Sequence, residues 1–235
     1  MKFLRTIFLF FTVFLTFFVG TGITLFSSFF TSSPKKRKTF QRSAAIWSRL
    51  LIWLSGVPVH VTGRENIPRG EPLIFVSNHQ GAIDILILLA VLPVGFRFII
   101  KEELFKIPFF GWYLRRCGYI PVDRGTRKGA LNMFLMSREA LASKDSILIF
   151  PEGTRSPDGT LKEFKRGSML LAIKNKVRVL PIAISGSFEI MPKHSMVIHS
   201  VPVTLKIGKP ISLEEYGKDP DRANEEVYRI IESML

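Results

Sequence analysis

Cysteine and acidic residues are scarce in this chain of 235 residues. Cys117 is the only cysteine, so no disulfide can form within the chain. No base lies beside it in the sequence, which indicates an ordinary thiol, and a single thiol is compatible with exposure to the cytosol. Asp and Glu total 19 against 33 Lys and Arg, which gives a formal net charge of +14. Such an excess predicts an anionic partner, or else a solvated basic surface.

Several catalytic and binding signatures are also missing. The sequence contains no G-x-S-x-G motif, which argues against a serine acyl-enzyme. It has no H-E-x-x-H motif, and His60, His194 and His199 stand apart from one another, so we expect no metal site. No zinc-finger spacing, RNP-type strand or helix-turn-helix pattern accompanies the positive charge, so we expect no nucleic-acid partner. A phospholipid surface or a phosphorylated substrate fits the charge better.

Charged residues are absent between Arg5 and Lys35, a stretch that is rich in phenylalanine. As a helix it would be roughly 43 Å long, which exceeds the hydrocarbon core of about 30 Å. It is too long for a signal peptide, and no A-x-A site precedes the basic run 35–38. The heavier charge at 35–38 predicts that the chain after the segment is cytoplasmic. Basic residues at both ends and a break at 20–22 favour anchoring in one leaflet over a single spanning helix.

The next segment, 44–54, is apolar and contains Trp47, Arg49 and Trp53. This mixture is typical of the headgroup boundary of a membrane, where tryptophan is enriched and arginine extends toward water. The alternative is an amphipathic helix that packs on the core. We therefore predict a hydrophobic, helical, membrane-anchoring segment at 1–58 and an α/β domain at 59–235.

Short apolar runs alternate with helical patterns after residue 59, which indicates an α/β fold with a mixed sheet flanked by helices. Pro121 predicts that its strand is at an edge or a bulge. The expected strands are 72–76, 98–100, 119–122, 147–150, 177–185 and 203–207. The expected helices are 83–92, 111–116, 129–143 with Leu131, Phe134, Leu135 and Leu141 on its apolar side, 167–175, and 221–234.

Two polar motifs begin where apolar runs stop. N-H-Q-G-A-I-D occupies 78–84, and F-P-E-G-T-R-S occupies 150–156. Ligands of α/β sheets bind at the carboxyl ends of strands. The two motifs are therefore predicted to share one active site.

These motifs resemble the signature of the glycerolipid acyltransferases, a family that carries H-x4-D and a downstream F-P-E-G-T-R-S. Segments 101–124 and 179–186 are similar to two further blocks of that family, so the resemblance covers roughly 60–187. It implies acyl transfer from acyl-CoA or acyl carrier protein to the sn-2 hydroxyl of lysophosphatidate, with no other cofactor. Glycerol 3-phosphate or another lysophospholipid is an alternative acceptor. A basic membrane-binding protein without activity is the alternative from a different class.

Acyl transfer to a hydroxyl needs a base, and neutral His79 can accept the proton near pH 7. Asp84 can then hold the other ring nitrogen, as the carboxylate of a serine-protease triad does. On one straight helix their offset of five residues would turn about 140°. The pair can therefore meet only if His79 lies in the turn before the helix of Asp84. Taken alone, the pair could also be an unrelated surface histidine and a helix-terminal aspartate.

Three cations follow predicted strands and could converge on a phosphate: Lys101, Arg124 and Arg155. Each could also be a solvated surface charge. The resemblance implies that the second motif binds the glycerol phosphate, through Glu152, Gly153, Thr154, Arg155 and Ser156. Glu152 is predicted to orient a substrate hydroxyl, and 164–167 to add anion binding at a helix start.

Overall fold

The computed structural model describes residues 2–30, 33–93, 95–191, 198–217 and 219–235. In these ranges the helices are α1 (Lys2–Phe29), α2 (Ser33–Ser55), α3 (Ile83–Val91), α4 (Phe110–Cys117), α5 (Arg127–Ala142), α6 (Leu170–Asn175), α7 (Ser187–Ile190) and α8 (Pro220–Met234). The strands are β1 (Val59–Thr62), β2 (Ile74–Ser77), β3 (Phe96–Lys101), β4 (Ile120–Val122), β5 (Ser146–Ile149), β6 (Val179–Ser185) and β7 (Val203–Ile207).

The strands form one mixed sheet in the order β1-β7-β6-β2-β5-β3-β4. β2 to β6 are mutually parallel, and the antiparallel β6–β7 pair reverses the direction at one end of the sheet. The predicted α/β class and mixed sheet are therefore confirmed, as is the edge position of β4, which carries Pro121. The parallel arrangement places the carboxyl ends of β2 to β6 on one edge, where both motifs begin.

Helices cover both faces of the sheet, which explains why its strands are nearly continuous apolar runs. Along β2, Phe75 belongs to a core cluster that includes α2, α3 and α4 side chains, with Phe40, Leu88 and Leu114 among them. Its neighbours Ile74 and Val76 belong to a second cluster with α5, α6 and α8. The fold is a three-layer sandwich with the sheet in the middle.

Helix α1 runs without interruption through the Gly20–Gly22 region, so the predicted break there is wrong. Helix α2 packs alongside α1 instead. Trp47 of α2 donates its indole N–H to Thr16 Oγ1 of α1 at 2.9 Å, and Thr24 Oγ1 lies 2.6 Å from Ser43 Oγ. The predicted helical pair is thus formed by α1 and α2 rather than by two halves of α1.

The face of α1 that packs on the protein combines small polar residues with Phe17, whereas its outward face is large and apolar. Thr6, Thr24 and Ser28 are buried. The outward side chains, 53–64% exposed, include Phe8, Phe11, Phe14 and Phe18. A helix in water has the opposite arrangement, while membrane helices often pack through small residues. α1 is also long and apolar enough to cross a membrane, by length and composition.

Helix α2 contributes to the core of the α/β domain as well as to the hairpin. Phe40 is 1% exposed, and the Gln41 amide donates to the carbonyls of Phe96 and Cys117 at 3.1 and 2.9 Å. Trp53, on the other side, is 75% exposed. The core-packing alternative therefore describes one face of α2, and the membrane-boundary interpretation of the exposed face stays a prediction. The division of the chain at residue 58 stays a prediction.

Arg37, in the basic run at the start of α2, is bound inside the protein. Its Nη2 lies 2.6 Å from Oδ2 of Asp145, a residue that is 2% exposed. Arg97 reaches the same oxygen with Nε at 2.9 Å and Nη2 at 2.8 Å. This shared carboxylate ties α2 to β3 and to the turn before β5. Arg37 is therefore not available for lipid, unlike the exposed Lys35.

Helix α5 forms where it was predicted, but its inward face differs. Leu131 and Leu135 are 57% and 50% exposed, so their assignment to the packed side is wrong. Leu141 is buried as predicted, and Ser137 and Ala140 are buried beside it. The small side chains of Ser137 and Ala140 allow a close approach to the sheet, which periodicity of apolar residues alone does not reveal.

Candidate active site

His79 and Asp84 are in direct contact. His79 lies in the loop after β2, and Asp84 lies in the first turn of α3, with Nδ1 and Oδ2 2.8 Å apart. Asp84 is fully buried, and the same oxygen accepts the backbone N–H groups of Gln80 and Gly81 at 2.7 and 2.8 Å. The loop conformation thus brings together two residues that could not share one helical face.

Close packing at Gly81 sets the path of this loop. A Cβ atom at that position would lie 2.7 Å from the carbonyl oxygen of Ser187 in α7. Only glycine therefore allows the loop to pass so near the end of β6. Asn78, fully buried beside it, exchanges two hydrogen bonds of 2.8 Å with the backbone of Ile184. The side-chain amide of Asn78 therefore extends the hydrogen bonding between β2 and β6 beyond the end of β2. This role was not predicted from the sequence.

Three residues of the second motif contact the ring or the main chain of His79. The ring of Phe150 stacks on the imidazole with a centroid distance of 4.1 Å and an interplanar angle of 17°. Glu152 Oε1 accepts the backbone N–H of His79 at 2.7 Å. The backbone N–H of Ser156 donates to the carbonyl of His79 at 2.8 Å. The motif therefore orients the histidine ring and main chain, and Phe150 is a site residue that sequence reasoning missed.

Glu152 binds two backbone N–H groups within the protein. Its side chain is 4% exposed, and Oε2 accepts the backbone N–H of Lys162 at 3.2 Å while Oε1 binds His79. Burial raises the pKa of Glu152, and the two backbone N–H groups partly oppose that rise. The carboxylate connects the loop after β2 with the loop between β5 and α6, and its predicted contact with a substrate hydroxyl stays a prediction.

A cavity of about 490 Å³ opens beside the second motif, at the ends of β3, β4 and β5. Arg124 and Lys165 bring positive charge to it, and Phe150 belongs both to its wall and to the stack on His79. The apolar part of the lining consists of Ile99, Val122, Met133, Phe134, Ile149, Leu170 and Leu171. Loss of hydration lowers the pKa of Arg124, and the charge of Glu103 opposes this. The cavity therefore combines charged side chains with an apolar wall.

Gly153 allows Lys165 to reach this cavity. Its φ is +73°, and a Cβ atom there would lie 2.5 Å from Cε of Lys165. The lysine side chain therefore crosses directly over the glycine. Lys165 lies in the run 164–167, for which we predicted anion binding, although α6 begins only at Leu170.

The other predicted phosphate contacts lie elsewhere. Lys101 is 58% exposed and pairs with Glu103 at 3.1 Å. Arg155 and Thr154 line a separate small cavity of about 70 Å³ with Gln80, Ser156, Phe188 and Met191. The structure thus places Arg124 with Lys165 and does not bring Lys101 or Arg155 into the same cavity.

Ser156 stabilises the loop that closes the small cavity. Its hydroxyl is 3.0 Å from Asp158 Oδ1 and accepts the backbone N–H of Gly159 at 2.9 Å. Hydrogen bonds from Thr160 and Ser156 lower the pKa of Asp158 to about 2. Asp158 is thus ionised at neutral pH and holds the turn. Ser156 is 2% exposed, and its predicted contact with substrate stays a prediction.

Other sites in the described ranges offer less chemistry. No group of three or more His, Cys, Asp or Glu in these ranges could hold a metal ion. His194 lies outside the described residues. Burial raises the pKa of the Cys117 thiol, which disfavours the thiolate. A groove of about 610 Å³ runs along α8 between Glu163 and Glu232, but its lining includes no residue of either motif.

A family model described as Acyltransferase matches residues 58–185, a range that contains His79, Asp84 and the cavity residues Arg124 and Lys165. The chain therefore belongs to the acyltransferase family.

The chain is 36% identical over 204 residues to the chloroplastic 1-acyl-sn-glycerol-3-phosphate acyltransferase LPAT1 of Arabidopsis thaliana, covering 86% of this chain and 56% of that protein. The corresponding Brassica napus protein, BAT2, is 35% identical over 85% of this chain and 57% of its own length. This chain thus spans little more than half of these plant relatives. The crystal structure of the 1-acyl-sn-glycerophosphate acyltransferase PlsC from Thermotoga maritima matches with a TM-score of 0.85 and 32% identity, over 99% of this chain and 95% of that chain.

Proposed function

We propose that this protein transfers an acyl group from an acyl thioester to the sn-2 hydroxyl of 1-acylglycerol 3-phosphate and so forms phosphatidate. The observation that carries the proposal is the 2.8 Å contact between His79 and Asp84, next to a cavity lined by Arg124 and Lys165. Relatives that are named for this reaction and share about a third of their residues with the chain support the same acceptor.

In the proposed mechanism His79 is the general base. With its Nδ1–H held by Asp84, Nε2 accepts the proton of the acceptor hydroxyl while the hydroxyl oxygen attacks the thioester carbonyl carbon. The carbon–sulfur bond then breaks, and the proton passes from the imidazolium to the departing thiolate. Attack is direct, since the sequence has no G-x-S-x-G serine and Cys117 is buried. No cofactor other than the thioester donor takes part.

Arg124 and Lys165 are proposed to bind the phosphate of the acceptor, and the apolar wall of their cavity to contact its glycerol and acyl part. Arginine can bind phosphate with two parallel hydrogen bonds, and lysine adds a point charge. Lys101, Gly153, Thr154 and Arg155 stay predicted substrate contacts. The donor is acyl-CoA or acyl carrier protein, both of which present an acyl thioester.

We further propose that α1 is embedded in one leaflet of an anionic phospholipid membrane, with the catalytic domain on the cytoplasmic face. Thr6, near one end of α1, accepts the backbone N–H of Ile198 at 3.3 Å, and Phe17 packs on Tyr113 with a ring distance of 5.5 Å. Thr24, nearer the other end, contacts Ser43. The helix therefore lies against the protein over about 27 Å, close to the full hydrocarbon thickness of about 30 Å. A spanning helix would leave the protein surface within a few residues.

A matrix of acceptors and donors tests the proposed activity. Purified protein in phosphatidylglycerol vesicles is supplied with lysophosphatidate, glycerol 3-phosphate or lysophosphatidylcholine, each with acyl-CoA or acyl carrier protein, and products are identified by mass spectrometry. We expect phosphatidate from lysophosphatidate. Acylation of glycerol 3-phosphate alone would reassign the acceptor, and vesicle binding without any product would support a non-catalytic membrane protein.

A further inference from the structure

An exposed apolar surface follows β3, on the side of the domain next to α1. Leu104, Ile107 and Phe109 are 38%, 45% and 69% exposed. They lie on the short 3-10 helix Glu102–Lys106 and the turn that leads into α4. These three side chains are called the loop patch. The intervening Phe105 is 5% exposed and anchors the segment in the core, so the outward direction of the patch is fixed by packing.

The loop patch continues the outward face of α1. The ring of Phe109 contacts the ring of Phe18, with centroids 6.1 Å apart, and Phe18 is 53% exposed. Directly behind this pair, Phe17 packs on Phe110 of α4 at 6.1 Å. Because Phe18 and Phe109 are side by side, any medium that surrounds the outward face of α1 also reaches Phe109.

The backbone of Phe109 adds a second observation. Its φ of +58° lies in the left-handed region that a bulky side chain rarely adopts. A strained conformation at a loop residue is maintained where the surrounding structure or the function requires it. Here it directs an aromatic ring outward beside α1. Insertion into lipid would surround the exposed ring of Phe109 with an apolar medium.

The segment that carries the loop patch follows a strand that contributes to the cavity of Arg124. Ile99 of β3 belongs to the cavity lining, and the 3-10 helix Glu102–Lys106 begins directly after Lys101, the β3 residue that is paired with the lining residue Val122. Lys101 and Lys106 balance Glu102 and Glu103, so the segment carries no net charge. Its contact with a membrane would therefore rest on apolar burial and be insensitive to salt.

We propose that the loop patch inserts into the same leaflet as α1, as a second membrane contact. The mouth of the cavity then opens toward the lipid, and a lysolipid enters it from the bilayer without passing through water. This inference rests on the proposed anchoring by α1. It adds a surface of the catalytic domain itself to the membrane contact.

Spin labelling tests the insertion in the full chain. Cys117 is fully buried, so single cysteines introduced by Phe109→Cys, Ile107→Cys, Phe18→Cys and Lys174→Cys can be labelled against a low background. Lys174 is exposed near the end of α6, toward the amino end of β6, and is the aqueous control. Labels are examined in phosphatidylcholine–phosphatidylglycerol vesicles with oxygen and a water-soluble nickel chelate as relaxing agents.

We expect the Phe18 and Phe109 labels to lose accessibility to the nickel chelate and to gain accessibility to oxygen, unlike the Lys174 label. Ile107 provides a second position if the strained Phe109 does not accept cysteine. If the Phe18 label is protected from the nickel chelate while the labels at Phe109 and Ile107 remain accessible to it, insertion of the loop patch is overturned and anchoring by α1 is not. Nickel access at Phe18 as well overturns the anchoring by α1 together with the patch.

Turnover provides an independent readout. Phe109→Ser should slow acylation of long-chain lysophosphatidate in vesicles while leaving acylation of a water-soluble short-chain lysophosphatidate unchanged. Lys174→Ser is the matched control and should affect neither substrate. An equal loss on both substrates would indicate damage to α4 and would overturn the proposed route of entry.

Discussion

Glu152 Oε1 accepts the backbone N–H of His79 at 2.7 Å, so a residue of the second motif fixes the main chain of the first. The two are 73 positions apart in the sequence and lie at the ends of the neighbouring parallel strands β2 and β5. Together with the stacked ring of Phe150 and the N–H of Ser156, this contact makes the two motifs one structural unit. Changes in the second motif should therefore affect turnover through His79 as well as through substrate binding.

Glu152→Gln tests this connection through the pH dependence of stability. Burial raises the pKa of Glu152 above its ordinary value of 4.5, so the folded state favours the protonated acid. The stability that this group contributes is fully present below its unfolded pKa and is lost as pH rises through the folded pKa. The wild-type protein should therefore lose stability relative to Glu152→Gln as pH rises from 4.5 toward neutrality. Thermal unfolding across that range measures the difference in stability between the two proteins. The same pH dependence of Tm in both would contradict the raised pKa of Glu152.

Phe150→Leu removes the ring that stacks on His79 and keeps an apolar side chain. A stacked aromatic pair contributes about 0.5–1.5 kcal/mol, which corresponds to a loss of about 2- to 13-fold in kcat if the stack orients the base. Phe150→Tyr retains the stack and is the matched control. Steady-state kinetics should show the loss in kcat for leucine alone. A loss confined to the KM for lysophosphatidate would assign Phe150 to the cavity wall instead.

Arg124→Ala and Lys165→Ala should weaken use of the acceptor. A hydrogen bond to a charged group contributes about 1.5–3 kcal/mol, so kcat/KM for lysophosphatidate should fall about 10- to 150-fold, mainly through KM. The KM for the acyl thioester should change little. Arg155→Ala provides a comparison from the separate small cavity. Donor-side defects in Arg124→Ala would reassign this residue to the carrier of the acyl group.

Asp145→Asn should destabilise the junction between α2 and the sheet. Asp145 is buried and binds both Arg37 and Arg97, and breaking a buried pair costs about 3 kcal/mol or more. Asp221→Asn breaks the exposed pair with Arg166 and should cost about 0–1 kcal/mol. Urea unfolding in detergent micelles compares the two variants. Equal effects would show that the Asp145 cluster does not hold α2 to the domain.

Much of the fold follows from local sequence patterns. The strands β2 and β5 were predicted from apolar runs that stop at polar motifs, and the edge strand was predicted from Pro121. Both signals depend on the side chains and backbone hydrogen bonding of a few neighbouring residues. The break at Gly20–Gly22 was predicted from glycine, but each glycine costs a helix interior only about 1 kcal/mol. That cost is too small to interrupt a helix of 28 residues.

The sequence indicated which residues belong to the candidate site, but it indicated few of the contacts between them. The spacing of His79 and Asp84 required a loop before a helix, and the structure has that loop. The partners of Glu152 could not be predicted, because its carboxylate binds backbone N–H groups of His79 and Lys162, and any residue except proline offers such a group. The apolar pattern predicts only that Phe150 ends a strand. Nothing in such a run indicates which aromatic ring will stack on an imidazole. The exposure of Leu131 was missed for a similar reason, because apolar residues occupy two faces of α5.

The most direct test of the proposed function is acyl transfer by His79→Ala, with His60→Ala, an exposed histidine in β1, as the matched control. Release of thiol from acyl-CoA or acyl carrier protein is followed with lysophosphatidate in anionic vesicles, together with vesicle binding and thermal unfolding. Loss of a general base should lower kcat by about 10²- to 10⁴-fold, with membrane binding unchanged and His60→Ala fully active. Turnover by His79→Ala within a few-fold of the wild-type rate would contradict the assignment of His79 as the base.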